Sequence, residues 1–172
     1  MRMVLTKPFN LIAFNLMWLG LVLGRADWLW LVGPLVLTYL ALLIISNTLR
    51  PTQILLPAAI GVSIDALITG LGFMSFQGTT WLLPLWLITL WLAFSSTLSL
   101  SLAVFGRSKP IAALCGAVAF PFNYGVGERV GAVAFVEAYW PSVLALSLTW
   151  ALMLPLLFNV VENSWRLKRA LA

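Results

Sequence analysis

Six long apolar runs, each nearly free of charged side chains, constrain this chain more than any other feature of its sequence. A hydrocarbon core about 30 Å thick is crossed by about 20 residues of α-helix, whereas a barrel strand needs only about 10. Lipid offers no partner for an unpaired backbone amide, so runs of this length must be helical. The sequence therefore predicts one all-α polytopic transmembrane domain over residues 1–172, with six helices at about residues 9–23, 28–46, 54–76, 81–105, 111–135 and 139–161.

Charged side chains are too scarce for a soluble domain of this length. They make up 9% of the 172 residues, and 62% of the residues are hydrophobic. Soluble domains have about a quarter of their residues charged. We therefore expect the membrane helices and their short connections to account for nearly the whole chain.

The basic residues are distributed unevenly between the polar breaks, and this predicts an orientation. Six crossings place both termini and the breaks near Arg50 and Arg107 on one side of the membrane. Because cytoplasmic loops are enriched in Lys and Arg, both termini are predicted to lie in the cytoplasm. The opposite side has only Arg25 if Arg129 belongs to the fifth helix. The bases on the cytoplasmic side are Arg2, Lys7, Arg50, Arg107, Lys109, Arg166, Lys168 and Arg169.

Aromatic residues at the ends of the runs favour the same orientation, since Trp and Tyr are enriched at membrane interfaces. Trp165 marks the cytoplasmic boundary. The residues at the opposite boundary are Trp28, Trp30, Trp81, Tyr139 and Trp140.

The net charge and the residue types limit the partners and the chemistry. The charge of +5 comes from bases at segment ends, where they contact lipid headgroups, so we expect membrane lipids and no nucleic acid as partners. The chain has no histidine and only one cysteine, Cys115. This excludes His-dependent zinc sites and nucleophiles activated by histidine. We expect no metal and no cofactor.

Asp65 is the most conspicuous polar residue, because it falls near the middle of the third run. An ionised carboxylate at that depth costs about 2.5–3.5 kcal/mol on insertion scales, so it needs a partner or a proton. Ala58, Gly61, Thr69 and Gly72 recur with it at spacings of three and four, which predicts one small and polar helix face. Two interpretations remain open. Asp65 belongs either to a site for a proton, ion or polar ligand, or to a hydrogen bond that packs helices together.

The fifth run is the least regular part of the chain. Pro121 removes a backbone amide, and Gly125 and Gly127 loosen the next turns, so the fifth helix is predicted to be kinked or broken. Broken helices expose backbone dipoles that bind ions or polar groups. Asn123 and Tyr124 are therefore candidates, with Asp65, for binding a ligand or ion.

The charged pair Glu128 and Arg129 comes directly after this irregular stretch. Adjacent residues point about 100° apart on a helix, so the two cannot neutralise each other as an i, i+4 pair would. Arg129 is a candidate counter-ion for Asp65, and the alternative is a pair that reaches water at the membrane surface. Gly127 and Gly131 form a G-x-x-x-G pair, which permits close helix approach.

Amides and hydroxyls elsewhere in the runs suggest buried hydrogen bonds between helices. Asn15 in the first run and Asn159 in the sixth are candidates for buried amide contacts. The hydroxyls of the fourth run are Ser95, Ser96, Thr97, Ser99 and Ser101.

The chain resembles a family of small bacterial inner-membrane proteins known as the domain of unknown function 2878. The resemblance implies a fold and a multi-pass location in the bacterial cytoplasmic (inner) membrane, not a reaction. Phe120 and Asn123 depart from the family's pattern, which favours Gly-Pro and Ser there. The residues that carry the resemblance are Asn15 and Trp18, Gly61-Val62-Ser63-Ile64-Asp65, Pro84-Leu85-Trp86 to Trp91-Leu92-Ala93-Phe94, and Pro121-Phe122-Asn123-Tyr124-Gly125-Val126-Gly127 with Gly131.

The sequence supports three hypotheses about function. The leading one is a non-catalytic membrane subunit that binds a small amphipathic ligand, a protein partner or a second copy of itself at a polar intramembrane site. Its size and third helix look like the small membrane subunits of energy-coupling-factor vitamin transporters. The alternatives are a membrane enzyme of lipid or isoprenoid metabolism, with carboxylates in a groove open to the bilayer, and an assembly scaffold. The candidate ligand or ion residues are Asp65, Asn123, Tyr124, Glu128 and Arg129, and the candidate packing residues are Gly61, Thr69, Gly72, Gly127 and Gly131.

Overall fold

Six α-helices succeed one another along the part of the chain that the structure describes. The structure is a computed structural model that describes residues 2–76 and 83–171, with side chains for residues 3, 5–76 and 83–164. The predicted all-α class with six helices is confirmed. The helices are α1 (Lys7–Gly24), α2 (Leu29–Ile45), α3 (Pro51–Gly70), α4 (Leu85–Ser99), α5 (Lys109–Arg129) and α6 (Tyr139–Leu171).

Four of these helices are long and apolar enough to cross a membrane. They are α1, α3, α5 and the part of α6 from Tyr139 to Ser164. The other two, α2 and α4, are apolar but shorter. The predicted fourth run began at Trp81, which lies outside the described residues, and the structure begins α4 after Pro84, which lacks the amide that a helix interior needs. The side chains of Arg2, Trp165, Arg166, Lys168 and Arg169 also lie outside the described part.

Helix α4 ends at Ser99, before the predicted residue 105, and helices α3 and α5 also end earlier than the apolar runs that predicted them. Gly72 and Gly131 adopt φ of 80° and 72°, the left-handed conformation that terminates helices. After α3, the amide of Phe73 donates to the carbonyl of Ile68. After α5, the amide of Ala132 donates to the carbonyl of Gly127. These bonds close the last turn of each helix in a Schellman motif.

The segments just beyond these two helices pair with each other. The short strands β1 (Met74–Ser75) and β2 (Ala134–Phe135) are antiparallel, with Met74 opposite Phe135 and Ser75 opposite Ala134. The carboxyl ends of α3 and α5 therefore lie at the same end of the bundle, which we call the strand end.

Helix α4 lies at the centre of the bundle. It packs against α1, α2, α3 and α6, while α5 packs mainly against α6. At the strand end, Nη1 of Arg25 donates a hydrogen bond of 2.6 Å to the carbonyl of Gly131, which ties the end of α1 to the end of α5. Helices α1 and α5 thus run parallel, and both begin at the opposite end, which we call the basic end after Lys7, Arg107 and Lys109.

A buried amide near the basic end joins three helices. Asn10 of α1 is fully buried, and its Nδ2 donates to Tyr39 of α2 and to Ser96 of α4. Its Oδ1 accepts from the amide and the hydroxyl of Ser101, just beyond α4. The prediction for Asn15 was wrong, because Asn15 is exposed and donates to the carbonyl of Leu11 in its own helix.

Candidate functional site

Asp65 of α3 is fully buried and joins three helices. Its Oδ2 accepts a hydrogen bond of 2.7 Å from Nε1 of Trp91 in α4, and its Oδ1 accepts one of 2.5 Å from the hydroxyl of Tyr124 in α5. Both carboxyl oxygens therefore have a donor, which is what a buried carboxyl group needs. We call Asp65, Trp91 and Tyr124 the carboxyl cluster.

Arg129 was a candidate counter-ion for Asp65, and the structure gives Asp65 two uncharged donors instead. Arg129 is exposed and is the last residue of α5, at the strand end. Tyr124 precedes it by five residues, about 7.5 Å along a helix, and so lies at the depth of Asp65. Depth along α5 therefore decides which side chain reaches the carboxyl group.

Gly61 makes room for the indole of Trp91. It lies one turn before Asp65 on the same face of α3, and a Cβ at this position would overlap the Trp91 ring at Cε3, Cζ3 and Cδ2. The missing side chain lets Trp91 lie flat against α3 with Nε1 directed at Asp65. The small-residue face predicted on α3 therefore accommodates a large aromatic side chain.

Stacked aromatic rings support the other side of Trp91. Phe120 of α5 and Trp150 of α6 are stacked with centroids 3.9 Å apart, and Trp91 stacks on Trp150 at 5.2 Å. Phe94 meets the Trp91 ring edge-on at 5.5 Å. Offset stacks and edge contacts add about 0.5–1.5 kcal/mol per pair beyond burial, so the Trp91 ring is held on both faces.

An apolar cavity of about 600 Å³ lies against this cluster, between α1 and α5, with α4 as its floor. We call it the lateral groove. Leu114 and Val118 on its α5 rim are 66% and 61% exposed, so it opens sideways between the helices. Its lining includes Phe14, Trp18 and Val22 of α1, Trp86, Leu90 and Trp91 of α4, and Cys115, Ala119 and Tyr124 of α5.

The five candidate ligand residues divide into two groups. Asn123 and Tyr124 line the lateral groove, and Tyr124 connects it to the buried Asp65. Asn123 also donates to the carbonyl of Ala119 in its own helix. Glu128 is half-buried and Arg129 is exposed, and neither contributes to the groove lining. The structure thus brings Asp65, Asn123 and Tyr124 together and leaves the charged pair at the strand end.

The candidate packing residues also have different surroundings. Gly127 is buried and lines the lateral groove. Gly72 and Gly131 lie in the turns after α3 and α5 rather than on helix faces, and among the described residues no atom beyond the chain neighbours of Gly72 lies within 4 Å of where its Cβ would be. Thr69 has a buried hydroxyl for which no hydrogen-bond partner lies among the described residues.

Trp91 is the residue of the cluster that sequence reasoning missed. In the sequence it is one of several tryptophans in an apolar run, and its ring nitrogen gives no visible signal. The useful clue is the conjunction of Gly61 and Asp65 one turn apart, which leaves space for a large donor beside an acceptor.

Metal binding has no support in the described part of the chain. Its residues include no group of three or more Cys, Asp or Glu side chains that could hold an ion. The oxygen atoms of Asp65 are instead occupied by Trp91 and Tyr124.

The chain matches the model of a known family over most of its length. The sequence model of a family described as "Protein of unknown function (DUF2878)" matches residues 7–156. This range runs from the start of α1 into α6 and includes the whole carboxyl cluster. No curated protein and no solved structure matches the chain.

Proposed function

The chain belongs to the DUF2878 family, whose description assigns no activity, and on that premise we propose that it is a non-catalytic membrane protein that binds a small amphipathic ligand. The hydrocarbon part of the ligand lies in the lateral groove. The carboxyl cluster forms the polar part of the groove wall.

The groove itself carries this proposal. Sites for small molecules are concave, mostly apolar, and about 300–1,000 Å³ in volume, with a few polar groups that fix orientation. The lateral groove, at about 600 Å³, falls within this range. Its polar side chains include Asn123 and Tyr124 of α5. Since the groove opens between two helices, a ligand can enter from the bilayer without crossing water.

The position of Asp65 favours binding over catalysis. A general acid or base must lie within about 3 Å of the proton that it transfers. Asp65 is fully buried, does not line the groove, and has both oxygens engaged. It acts on the groove through Trp91 and Tyr124, which it holds in place. This argues against the alternative of a lipid enzyme that uses this carboxyl group.

The proposal includes six crossings with both termini in the cytoplasm of a bacterium, with the basic end on the cytoplasmic side. Lys7, Arg107 and Lys109 are exposed at that end, as expected for cytoplasmic residues. It also includes a bend in α5, because Pro121 lies inside this helix and removes one hydrogen bond from it.

Filling the groove tests the proposal. Ala119 lines the groove and is exposed, so Ala119→Trp fills the groove without overpacking the core. Ala59→Trp is the matched control, because Ala59 is exposed on α3 and its carbonyl also accepts a bond from a side chain one turn later. Native mass spectrometry of gently extracted protein counts the retained lipid or small-molecule ligands.

We expect the unmodified protein and Ala59→Trp to retain the same ligand, and Ala119→Trp to lose it. Equal retention by all three proteins would overturn the proposal. Circular dichroism and gel filtration show whether each variant is folded before the comparison is made.

A further inference from the structure

We propose that the ligand is an anionic lipid, with a hydrocarbon chain in the lateral groove and a phosphate headgroup at the basic end. This inference rests on the proposed function and adds the chemical class and the direction of the ligand. Its basis is the difference in charge between the two ends of the groove.

Three exposed cations lie on the elements that flank one end of the groove. Lys7 is the first residue of α1, and Lys109 is the first residue of α5. Arg107 lies in the 3-10 turn Phe105–Arg107, between α4 and α5. All three side chains are exposed, so they are available to an external anion.

Hydrogen bonds and packing place these cations beside the groove. Asn10 accepts a bond of 2.7 Å from the hydroxyl of Ser101, so the first turns of α1 lie against the segment after α4. The next residue of that segment, Leu102, lines the groove, as does Phe105, which begins the 3-10 turn. Gly106 in the same turn lies against Phe158, another lining residue. The groove therefore reaches the basic end.

The opposite end of the groove differs in charge and in structure. The bond from Arg25 to the Gly131 carbonyl joins α1 to α5 there. The acidic side chains of Asp27, Glu128 and Glu137 belong to the turns and the helix end on this side, and they outnumber its two bases, Arg25 and Arg129. Among the described residues, the basic end has a single exposed acid, Glu162 of α6, beside its three exposed cations. A headgroup with negative charge is therefore favoured at the basic end and disfavoured at the strand end.

The groove and the cations together indicate a lipid. Lys and Arg near a membrane surface attract anionic headgroups by about 1 kcal/mol each, or about fivefold in affinity. The amino ends of α1 and α5 add the positive ends of two helix dipoles. A soluble anion would bind the cations and leave the groove empty. A lipid with an anionic headgroup binds the cations and also fills the groove with its hydrocarbon chain.

The test compares phosphatidylglycerol and phosphatidylcholine with identical acyl chains. Each is titrated into delipidated full-length protein in a nonionic detergent, and native mass spectrometry gives the bound fraction. Three variants are compared with the unmodified protein. They are Lys109→Gln, Ala119→Trp, and a triple variant that combines Lys7→Gln, Arg107→Gln and Lys109→Gln. Arg129→Gln is the matched control, because Lys109 and Arg129 are the first and last residues of α5. Glycerol 1-phosphate serves as a soluble anion.

We expect the unmodified protein and Arg129→Gln to prefer phosphatidylglycerol by at least about fivefold. Lys109→Gln should reduce that preference, and the triple variant should bind both lipids alike. Ala119→Trp should lose both lipids, and glycerol 1-phosphate should displace neither.

Equal binding of both lipids by the unmodified protein, with loss of both in Ala119→Trp, would overturn the headgroup assignment and leave the groove proposal standing. Normal binding of both lipids by Ala119→Trp would overturn the groove proposal itself. Displacement by glycerol 1-phosphate would identify a site for soluble anions and would also overturn the inference.

Discussion

Trp91 donates its ring hydrogen to Asp65 across the interface of α3 and α4, at an Nε1–Oδ2 distance of 2.7 Å. Tyr124 donates to the second carboxyl oxygen from α5. One carboxyl group therefore fixes the positions of two side chains that line the lateral groove, although it does not line the groove itself. Hydrogen bonds between membrane helices contribute about 0.6 kcal/mol on average and up to about 1.7 kcal/mol.

Replacing Asp65 with Asn should destabilise the protein. The amide keeps one acceptor for the indole of Trp91 and turns its NH2 group toward Tyr124, so the Tyr124 hydroxyl can only accept there and its own hydrogen loses the carboxyl oxygen that it binds. We expect a loss of about 1–3 kcal/mol, since a buried donor is left unpaired, measured as a lower melting temperature in detergent. Ser63→Ala on the same helix is the control, because Ser63 is exposed and bonds only to its own helix. Equal melting temperatures for Asp65→Asn and the unmodified protein would contradict the role assigned to the carboxyl cluster.

Replacing Gly61 with Ala should displace Trp91. The added methyl group would overlap the indole ring, and overpacking of this kind costs about 1–3 kcal/mol. Gly33→Ala is the matched control, because a Cβ there meets Leu29 at an ordinary 3.5 Å. Tryptophan fluorescence and thermal unfolding should change in Gly61→Ala and remain unchanged in Gly33→Ala. The reverse order of effects would show that the Gly61–Trp91 contact does not limit packing.

Asn10 and Asn15 should respond differently to the same substitution. Asn10 makes bonds to Tyr39, Ser96 and Ser101. At about 0.6 kcal/mol per interhelical bond, Asn10→Ala should cost about 2 kcal/mol. Asn15 is exposed and bonds within its own helix, so Asn15→Ala should leave stability nearly unchanged. Guanidinium or urea unfolding in mixed micelles measures both, and similar values for the two variants would refute the assignment of Asn10 as the buried amide.

Cys115 offers a direct measure of groove occupancy. It is the only cysteine of the chain and it lines the groove. A membrane-permeable maleimide should label it, and added phosphatidylglycerol should slow the labelling severalfold because the lipid covers the thiol. The control protein carries Cys115→Ser with Ala59→Cys, which moves the thiol to an exposed position on α3. Protection of both thiols to the same extent would mean that the lipid acts through the micelle and not through the groove.

Hydropathy predicted the number of helices and approximately where each begins. It could not predict the ends of α3 and α5, because the residues after Gly72 and Gly131 remain apolar. The ends depend on the left-handed conformation of these two glycines and on the pairing of β1 with β2. Pairing between distant segments is a tertiary property that a local pattern does not contain.

The carboxyl cluster was predictable in part. Asp65 is conspicuous because a carboxyl group is costly in hydrocarbon, and Tyr124 was among its candidate neighbours. Charge complementarity pointed to Arg129, but the depth of Tyr124 and the space beside Gly61 decide the actual partners. The same difficulty affected Asn10 and Asn15, since the face that an amide presents depends on how α1 is rotated against α4.

The strand pair has a mechanical consequence for the two helices that precede it. Asp65 and Tyr124 fasten α3 to α5 midway along their lengths, and Met74 and Phe135 fasten the same two segments again beyond their ends. These two contacts together fix the position of α3 relative to α5 along their helix axes. A residue inserted into one chain segment between the two contacts would shift one contact relative to the other. Because the helices cannot slide past each other, either the hydrogen bond or the strand pair would then break.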